Sequence, residues 1–286
     1  IHENGFQISC VFTQPPRKSN RGQKVNKSPV HIISEQLGIK IKTPNKIEEE
    51  ISFIKSLNLD LVIVVAYGQI LSEEILKLSK NGFINVHASL LPKWRGAAPI
   101  QRSLMNLDNA TGISIMKINK RLDEGPVCNT YQINILENEN AKSLSERLSR
   151  LGSEKIIENI EKILSQKIKF KDQDNSIATY AKKIRKNEGK INWNEDAEKI
   201  IGKINGLYPY PGAWFKFKNE RYKILKATLL EKSSKPGEII DNELTISCGF
   251  NSVKIVEIQK EGKKPQLTRD FVLSSTLYKG TILSNE

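Results

Sequence analysis

The chain sorts its apolar and polar positions in two ways. Up to about residue 168, aliphatic runs alternate with stretches whose apolar residues recur every three to four positions. Beyond about residue 190 the apolar positions fall into short alternating segments. In the first part, FQISCVF (6–12) reads as a short strand. Residues 30–37 read as a helix, with Ser28 as its cap and Pro29 at its first position. LDLVIVVA (59–66) is a continuous valine-rich run, the pattern of a strand buried on both faces. Residues 72–80 read as an amphipathic helix with acids early and lysines late, which suits the helix dipole. Strands follow at 82–87 and 112–118, and 143–167 carries Leu and Ile at helical spacing. Strands separated by helices predict an α/β fold with a doubly wound, mainly parallel sheet of Rossmann-like type.

Residues 169–190 break into polar, lysine-rich sequence and read as a linker. A helix at 197–204 is ended by the prolines of LYPYPGAWFKF. Short segments at 222–230, 237–240, 244–248 and 253–259 then predict a small antiparallel β-barrel. The expected organisation is a domain at 1–168, the linker at 169–190 and a second domain at 191–286.

Composition leaves this picture in place. With 38% hydrophobic and 27% charged residues among 286, the chain reads as globular. No run approaches the roughly 18 apolar residues of a membrane helix, and no basic-then-apolar signal segment opens the chain. Cys10, Cys128 and Cys248 lie far apart, odd in number and without metal-ligand spacing, which suits a reducing compartment and predicts a cytoplasmic protein with no metal. Charge adds more. Forty-five basic residues face 32 acidic ones, a net +13, of which +7 lies up to residue 170 and +6 beyond it. An excess spread over both halves suits a partner rich in phosphates, and equally lysines on solvated faces.

In open parallel sheets, ligands sit beyond the carboxyl ends of strands. One such end is Ala66-Tyr67-Gly68-Gln69; another is Asn85-Val86-His87. Asn85 and His87 are two apart in a strand and so share a face. An amide donor beside an imidazole can meet one carbonyl oxygen and hold negative charge developing on it. A carboxylate to orient the imidazole is offered by RLDEGPV, as Asp123 or Glu124. No serine elbow, phosphate-binding glycine loop, HExxH or CxxC accompanies them, so direct transfer assisted by electrostatics and proton movement remains.

NVHASLLPKWRGAAPIQRSL, followed 36 residues after His87 by Asp123 in LDEGP, closely resembles the formyltransferase family that uses 10-formyltetrahydrofolate. WRGAAPIQRSL (94–104), VFTQPPRKSNRGQK (11–24), VVAYGQIL (64–71) and EGKK (261–264) resemble its branch acting on methionyl-tRNA. The resemblance runs nearly the whole length in the same order. It implies a catalytic trio of Asn85, His87 and Asp123. It implies folate contacts at Ser89, Leu90, Leu91 and Pro92, and at Val65, Tyr67, Gly68, Gln69 and Ile70 chiefly through the backbone. The co-substrate implied is 10-formyltetrahydrofolate, the partner methionyl-initiator tRNA, and the state a monomer. The basic loop is expected to meet tRNA through Arg17, Lys18, Arg21 and Lys24, as are Lys183 and Lys186 in the linker, and the C-terminal domain is expected to be an OB-like tRNA binder.

The chain departs from the family pattern in two places. Pro15-Pro16 stands where the family has proline-aspartate. IHENGFQI matches the end of a helix and the strand after it, so the family's opening strand, Gly-Thr-Pro turn and helix are expected ahead of it. A sheet without that central strand leaves backbone unpaired, and this polypeptide alone is expected to fold poorly or to be inactive. The competing readings are a related formyltransferase or hydrolase acting on a small substrate, and an inactive RNA-binding relic.

Overall fold

The computed structural model describes residues 1–19 and 24–285, and at Lys18, Ser19 and Lys24 the backbone alone. In chain order its strands are β1 Val11–Phe12, β2 Arg17–Ser19, β3 Lys24–Asn26, β4 Ile41–Lys42, β5 Val62–Val64, β6 Phe83–His87, β7 Arg95–Gly96, β8 Ala110–Lys117, β9 Val127–Asn134, β10 Tyr180–Ala181, β11 Ala213–Phe217, β12 Glu220–Leu230, β13 Thr245–Ser247, β14 Ser252–Lys260 and β15 Gln266–Leu267. Its α-helices are α1 Pro29–Gln36, α2 Ile51–Ser56, α3 Glu73–Leu76, α4 Pro99–Met105, α5 Ala141–Leu164, α6 Ala197–Leu207 and α7 Thr268–Phe271. They gather into two compact units. The first comprises Ile1–His87, Ile113–Thr130 and Leu151–Ser176; the second comprises Ala88–Gly112, Tyr131–Arg150 and Ile177–Glu286.

In the first unit, β1 and β4 pair in parallel. A four-stranded sheet runs β5-β6-β8-β9. β5 and β6 are parallel, with Val62 opposite Phe83 and Val64 opposite Asn85. Ile47, Ile54, Leu71, Ile75 and Phe83 form a buried cluster beside this sheet, with Phe12, Val62 and Val64 packed against it. α1 and α3 begin as serine caps dictate: the Ser28 hydroxyl accepts from the His31 amide at 3.1 Å, and Ser72 from the Ile75 amide at 3.4 Å. Behind β6, Gly152 of α5 lies so near Val86 that an added Cβ would stand 3.2 Å from its methyl group. That face is opposite the one carrying Asn85 and His87.

The expected parallel order stops at β8. It runs antiparallel to β6, pairing Ile84 with Lys117 and His87 with Ser114. The chain re-enters the sheet beside the end of β6 it has just left, so the connection need not cross the sheet as a parallel one must. Several expected elements are shorter: 6–12 is strand only at Val11–Phe12, 59–66 is strand at Val62–Val64 with a single parallel bridge from Leu59 to Ser79, and 72–80 is helical only at Glu73–Leu76. The expected strand at 237–240 is reduced to single bridges from Glu238 to Ile282 and from Ile239 to Ile246.

The second unit holds an antiparallel sheet ordered β11-β12-β14-β13, with β15 on β14. A chain of aromatic rings runs through its largely aliphatic core. Trp193 meets Phe215 edge-on at 5.7 Å between ring centres, Phe215 stacks on Tyr222 at 5.4 Å, and Tyr222 meets Phe271 at 5.9 Å. α6 buries Ala197, Ile200, Ile204 and Leu207 into it. Gly202 and Gly206 let α6 touch α4: a Cβ at Gly206 would stand 2.8 Å from the Gln101 carbonyl oxygen. Among the described residues no helix is long and apolar enough to cross a membrane.

Candidate active site

β6 delivers the first two candidate groups. Asn85 is half-buried and His87 only 6% exposed, opposite Met116 and Ser114 of β8. β8 then leads into a turn whose shape is dictated by close contacts. The Asn119 side chain accepts from the Arg121 amide at 2.9 Å. Asp123 takes a left-handed backbone conformation, φ 52°. Gly125 passes so close to Lys117 that any Cβ would overlap the Lys117 carbonyl oxygen, so only glycine fits. Asp123 Oδ2 comes to lie 3.8 Å from His87 Nδ1, the two side chains 14% and 7% exposed. That is ion-pair range rather than a short hydrogen bond. It places a carboxylate to orient the ring and balance positive charge on it. Glu124, the other carboxylate of the turn, faces Arg121 instead at 3.5 Å.

The loop after β5 belongs to the same unit. Its backbone is held by two glutamines. Gln14 donates to the Tyr67 carbonyl at 2.8 Å. Gln69 accepts from the Ile47 amide at 2.8 Å and donates to the Pro44 carbonyl at 3.3 Å. Gly68 sits at φ 79°, where a side chain is strained. Val65 and Ile70 are 61% and 86% exposed, apolar surface on an anchored loop. The Tyr67 hydroxyl is buried with no hydrogen-bond partner among the described residues. Burial first, then the charge of Glu48, pushes it up to about 12, so it stays a neutral phenol.

Ser89, Leu90, Leu91 and Pro92 lie in the second unit. Ser89 is fully buried and its hydroxyl donates to the Lys93 carbonyl at 2.6 Å, closing the turn. A Cβ at Gly112 would stand 2.6 Å from the Leu90 side chain. In the same unit Lys183 and Lys186 are exposed. Their segment is held by Arg102, whose guanidinium donates to both carboxylate oxygens of Glu188 at 2.7 and 3.2 Å and to the Lys182 carbonyl at 3.0 Å. Hydrogen bonding from Arg102 holds the Glu188 carboxyl below its ordinary range. In the first unit Arg17 is exposed on β2, donates to Gln14 at 3.1 Å, and pairs across to Asn26 of β3. Lys18 and Lys24 occupy this hairpin's backbone, and Arg21 lies outside the described residues.

Two contributors escape sequence reasoning. Gln14 fits no apolar period, and Gln173 lies in the polar stretch read as linker. Gln173 donates to the Asp123 carbonyl at 2.8 Å and to the Gly125 carbonyl at 2.7 Å. No local pattern announces a contact made across 50 residues.

A strand-end amide and a buried imidazole backed by a carboxylate make a site suited to direct group transfer at a carbonyl. The formyl transferase family model matches residues 1–160, and the model of the formyl transferase C-terminal domain matches 183–276. The chain belongs to the formyl transferase family. The similar relatives within it are methionyl-tRNA formyltransferases: that of Pelagibacter ubique is 59% identical, over 100% of this chain and 93% of its own, and that of Phenylobacterium zucineum is 39% identical, over 99% and 94%. The fold is shared with the N-formyltransferase of Helicobacter canadensis solved with folinic acid and dTDP-3-aminofucose (TM-score 0.66, 21% identity, 85% of this chain and 87% of that one). It is shared too with HypX of Aquifex aeolicus in complex with tetrahydrofolic acid (TM-score 0.63, 15% identity, 87% and 47%).

Proposed function

We propose that the protein transfers the formyl group of 10-formyltetrahydrofolate to the α-amino group of methionyl-initiator tRNA, supplying the blocked amino acid that begins translation. The observation that carries the reading is the arrangement of Asn85, His87 and Asp123 at the carboxyl end of β6, His87 buried and 3.8 Å from its carboxylate. As the methionyl amine attacks the formyl carbon, negative charge grows on the formyl oxygen. The Asn85 amide donates to that oxygen. The buried His87 ring, with Asp123 behind it, donates to the same oxygen and stabilises the charge. The attacking nitrogen must lose a proton and the departing N10 must gain one, and His87 is the proposed relay between them. The step needs no covalent enzyme intermediate.

Folate fits the loop at Val65, Tyr67, Gly68, Gln69 and Ile70. A flat pterin needs backbone donors and acceptors in a rigid frame with apolar surface alongside, and Gln14 and Gln69 hold such a frame. Ser89, Leu90, Leu91 and Pro92 complete the proposed folate set. Arg17, Lys18, Arg21, Lys24, Lys183 and Lys186 are proposed to meet tRNA phosphates, where basic side chains supply affinity rather than base choice. The antiparallel sheet of the second unit is read as an OB-like barrel that binds tRNA, within a layout of catalytic domain 1–168, linker 169–190 and C-terminal domain 191–286. The protein is proposed to act as a cytoplasmic monomer.

The test is an acceptor screen with radiolabelled 10-formyltetrahydrofolate. Label should pass to methionyl-initiator tRNA and not to free methionine, an amino sugar nucleotide or water. Preferential labelling of a small amine would overturn the tRNA assignment.

A further inference from the structure

We propose that Gln173 is a positioning residue for formyl transfer, holding Asp123 on His87 through the backbone of the 123–125 turn. The inference rests on the proposed role of Asp123. Three observations point to it. The turn is under conformational stress at the residue that matters, since Asp123 is a non-glycine in the left-handed region. The one side-chain amide of Gln173 fixes the backbone directly after that residue, bracketing Glu124 by donating to the carbonyls of Asp123 and Gly125 at 2.8 and 2.7 Å. The segment carrying Gln173 is itself tied down two residues earlier. Lys171 and Val127 exchange backbone hydrogen bonds at 2.8 and 2.9 Å, so the amide reaches the turn from an anchored base.

The chemistry of the residue suits the task. Two carbonyls converge on one point, and a primary amide nitrogen carries two protons for them. Gln173 is half-buried between exposed Asp172 and Asp174, both acidic and unable to donate from their side chains when ionised. Without the clamp the turn relaxes from its left-handed state. The Asp123 carboxylate, already at 3.8 Å from the ring, moves out of ion-pair range. A displacement of about 1 Å at a catalytic group can cost on the order of 10²-fold in rate.

The experiment is a double-mutant cycle on the full chain in the formyl-transfer assay, with Gln173→Ala, Asp123→Ala and both together. Gln173→Glu, which keeps size and loses both donors when ionised, serves as the second single variant. Gln173→Ala and Gln173→Glu should each lower kcat about 10- to 100-fold, with KM for folate and tRNA within about twofold of the parent. Adding Gln173→Ala to Asp123→Ala should lower kcat no further, because both act through one carboxylate. Effects that multiply, or a raised KM with unchanged kcat, assign Gln173 a merely structural part and overturn the proposal. Full activity in Gln173→Glu does so too, and decides the matter should Gln173→Ala not fold. Full activity in Asp123→Ala overturns the role of Asp123 itself. Loss in Asp123→Ala with full activity in both Gln173 variants overturns Gln173 alone.

Discussion

The two units divide packing and directional bonding differently. The second is organised around ring contacts, Trp193 on Phe215 on Tyr222 on Phe271, with an aliphatic helix face laid into them. The first has a smaller cluster that includes Phe83, and its candidate site is shaped by hydrogen bonds and tight backbone approaches: Gln14 and Gln69 on one loop, Gly125 and Gln173 on the other. Non-directional packing gives stability wherever volume is filled. Directional bonds set where a group points. The difference teaches that stability and chemistry should be separable by mutation.

The largest expected effect breaks the packed side. Phe215→Ala, in a fully buried ring stack, should cost about 3–5 kcal/mol of stability while leaving kcat per folded molecule unchanged. Urea unfolding and active-site-normalised kinetics check the two halves. His87→Ala should do the reverse, lowering kcat about 10²- to 10³-fold with a small shift in unfolding midpoint. Formyl transfer at parental rate by this variant would refute the catalytic assignment. Gly125→Ala should fall between, because the added methyl must push the turn off Lys117; about a 10- to 100-fold loss in kcat is expected, with stability also reduced. If Phe215→Ala slowed the chemical step as much as His87→Ala, the division of labour would be wrong.

The smallest effect is a pH dependence. Glu188 has its folded pKa lowered from the ordinary 4.5 by hydrogen bonding from Arg102. A lowered folded value means its contribution is complete above pH 4.5 and is lost as pH falls through the folded pKa. Glu188→Gln should therefore lower the urea midpoint modestly at neutral pH, and the gap between variant and parent should close in acid. A gap that widened below pH 4.5 would contradict the sign.

The sequence made legible what repeats or caps. Val62–Val64 and Phe83–His87 stand out as aliphatic strands, the two-residue period puts Asn85 with His87, and Ser28-Pro29 marks a helix start. Spacing alone left Asp123 and Glu124 tied, because neighbours in a turn point apart only once the turn is built, and only the family resemblance chose Asp123; in the turn Asp123 lies 3.8 Å from His87 while Glu124 faces Arg121. It missed β9, whose VCNTYQIN mixes polar residues into a half-exposed strand. It also missed β11, whose alternation is hidden in an aromatic run. The direction of β8 was out of reach, since periodicity reports faces and not orientation. Gln173 was invisible for a different reason: its partners are backbone carbonyls, which carry no side-chain signature.

Gln173 has a consequence in time as well as in space. It closes a turn made 50 residues earlier in the chain. At a synthesis rate of roughly 5–20 residues per second, Asp123 is made several seconds before the residue that clasps it. The nascent protein thus carries its strand-end asparagine and histidine for that interval without the finished turn. If Gln173 positions Asp123 as proposed, competence for transfer arrives only when the polar stretch beyond α5 has left the ribosome and returned to the sheet.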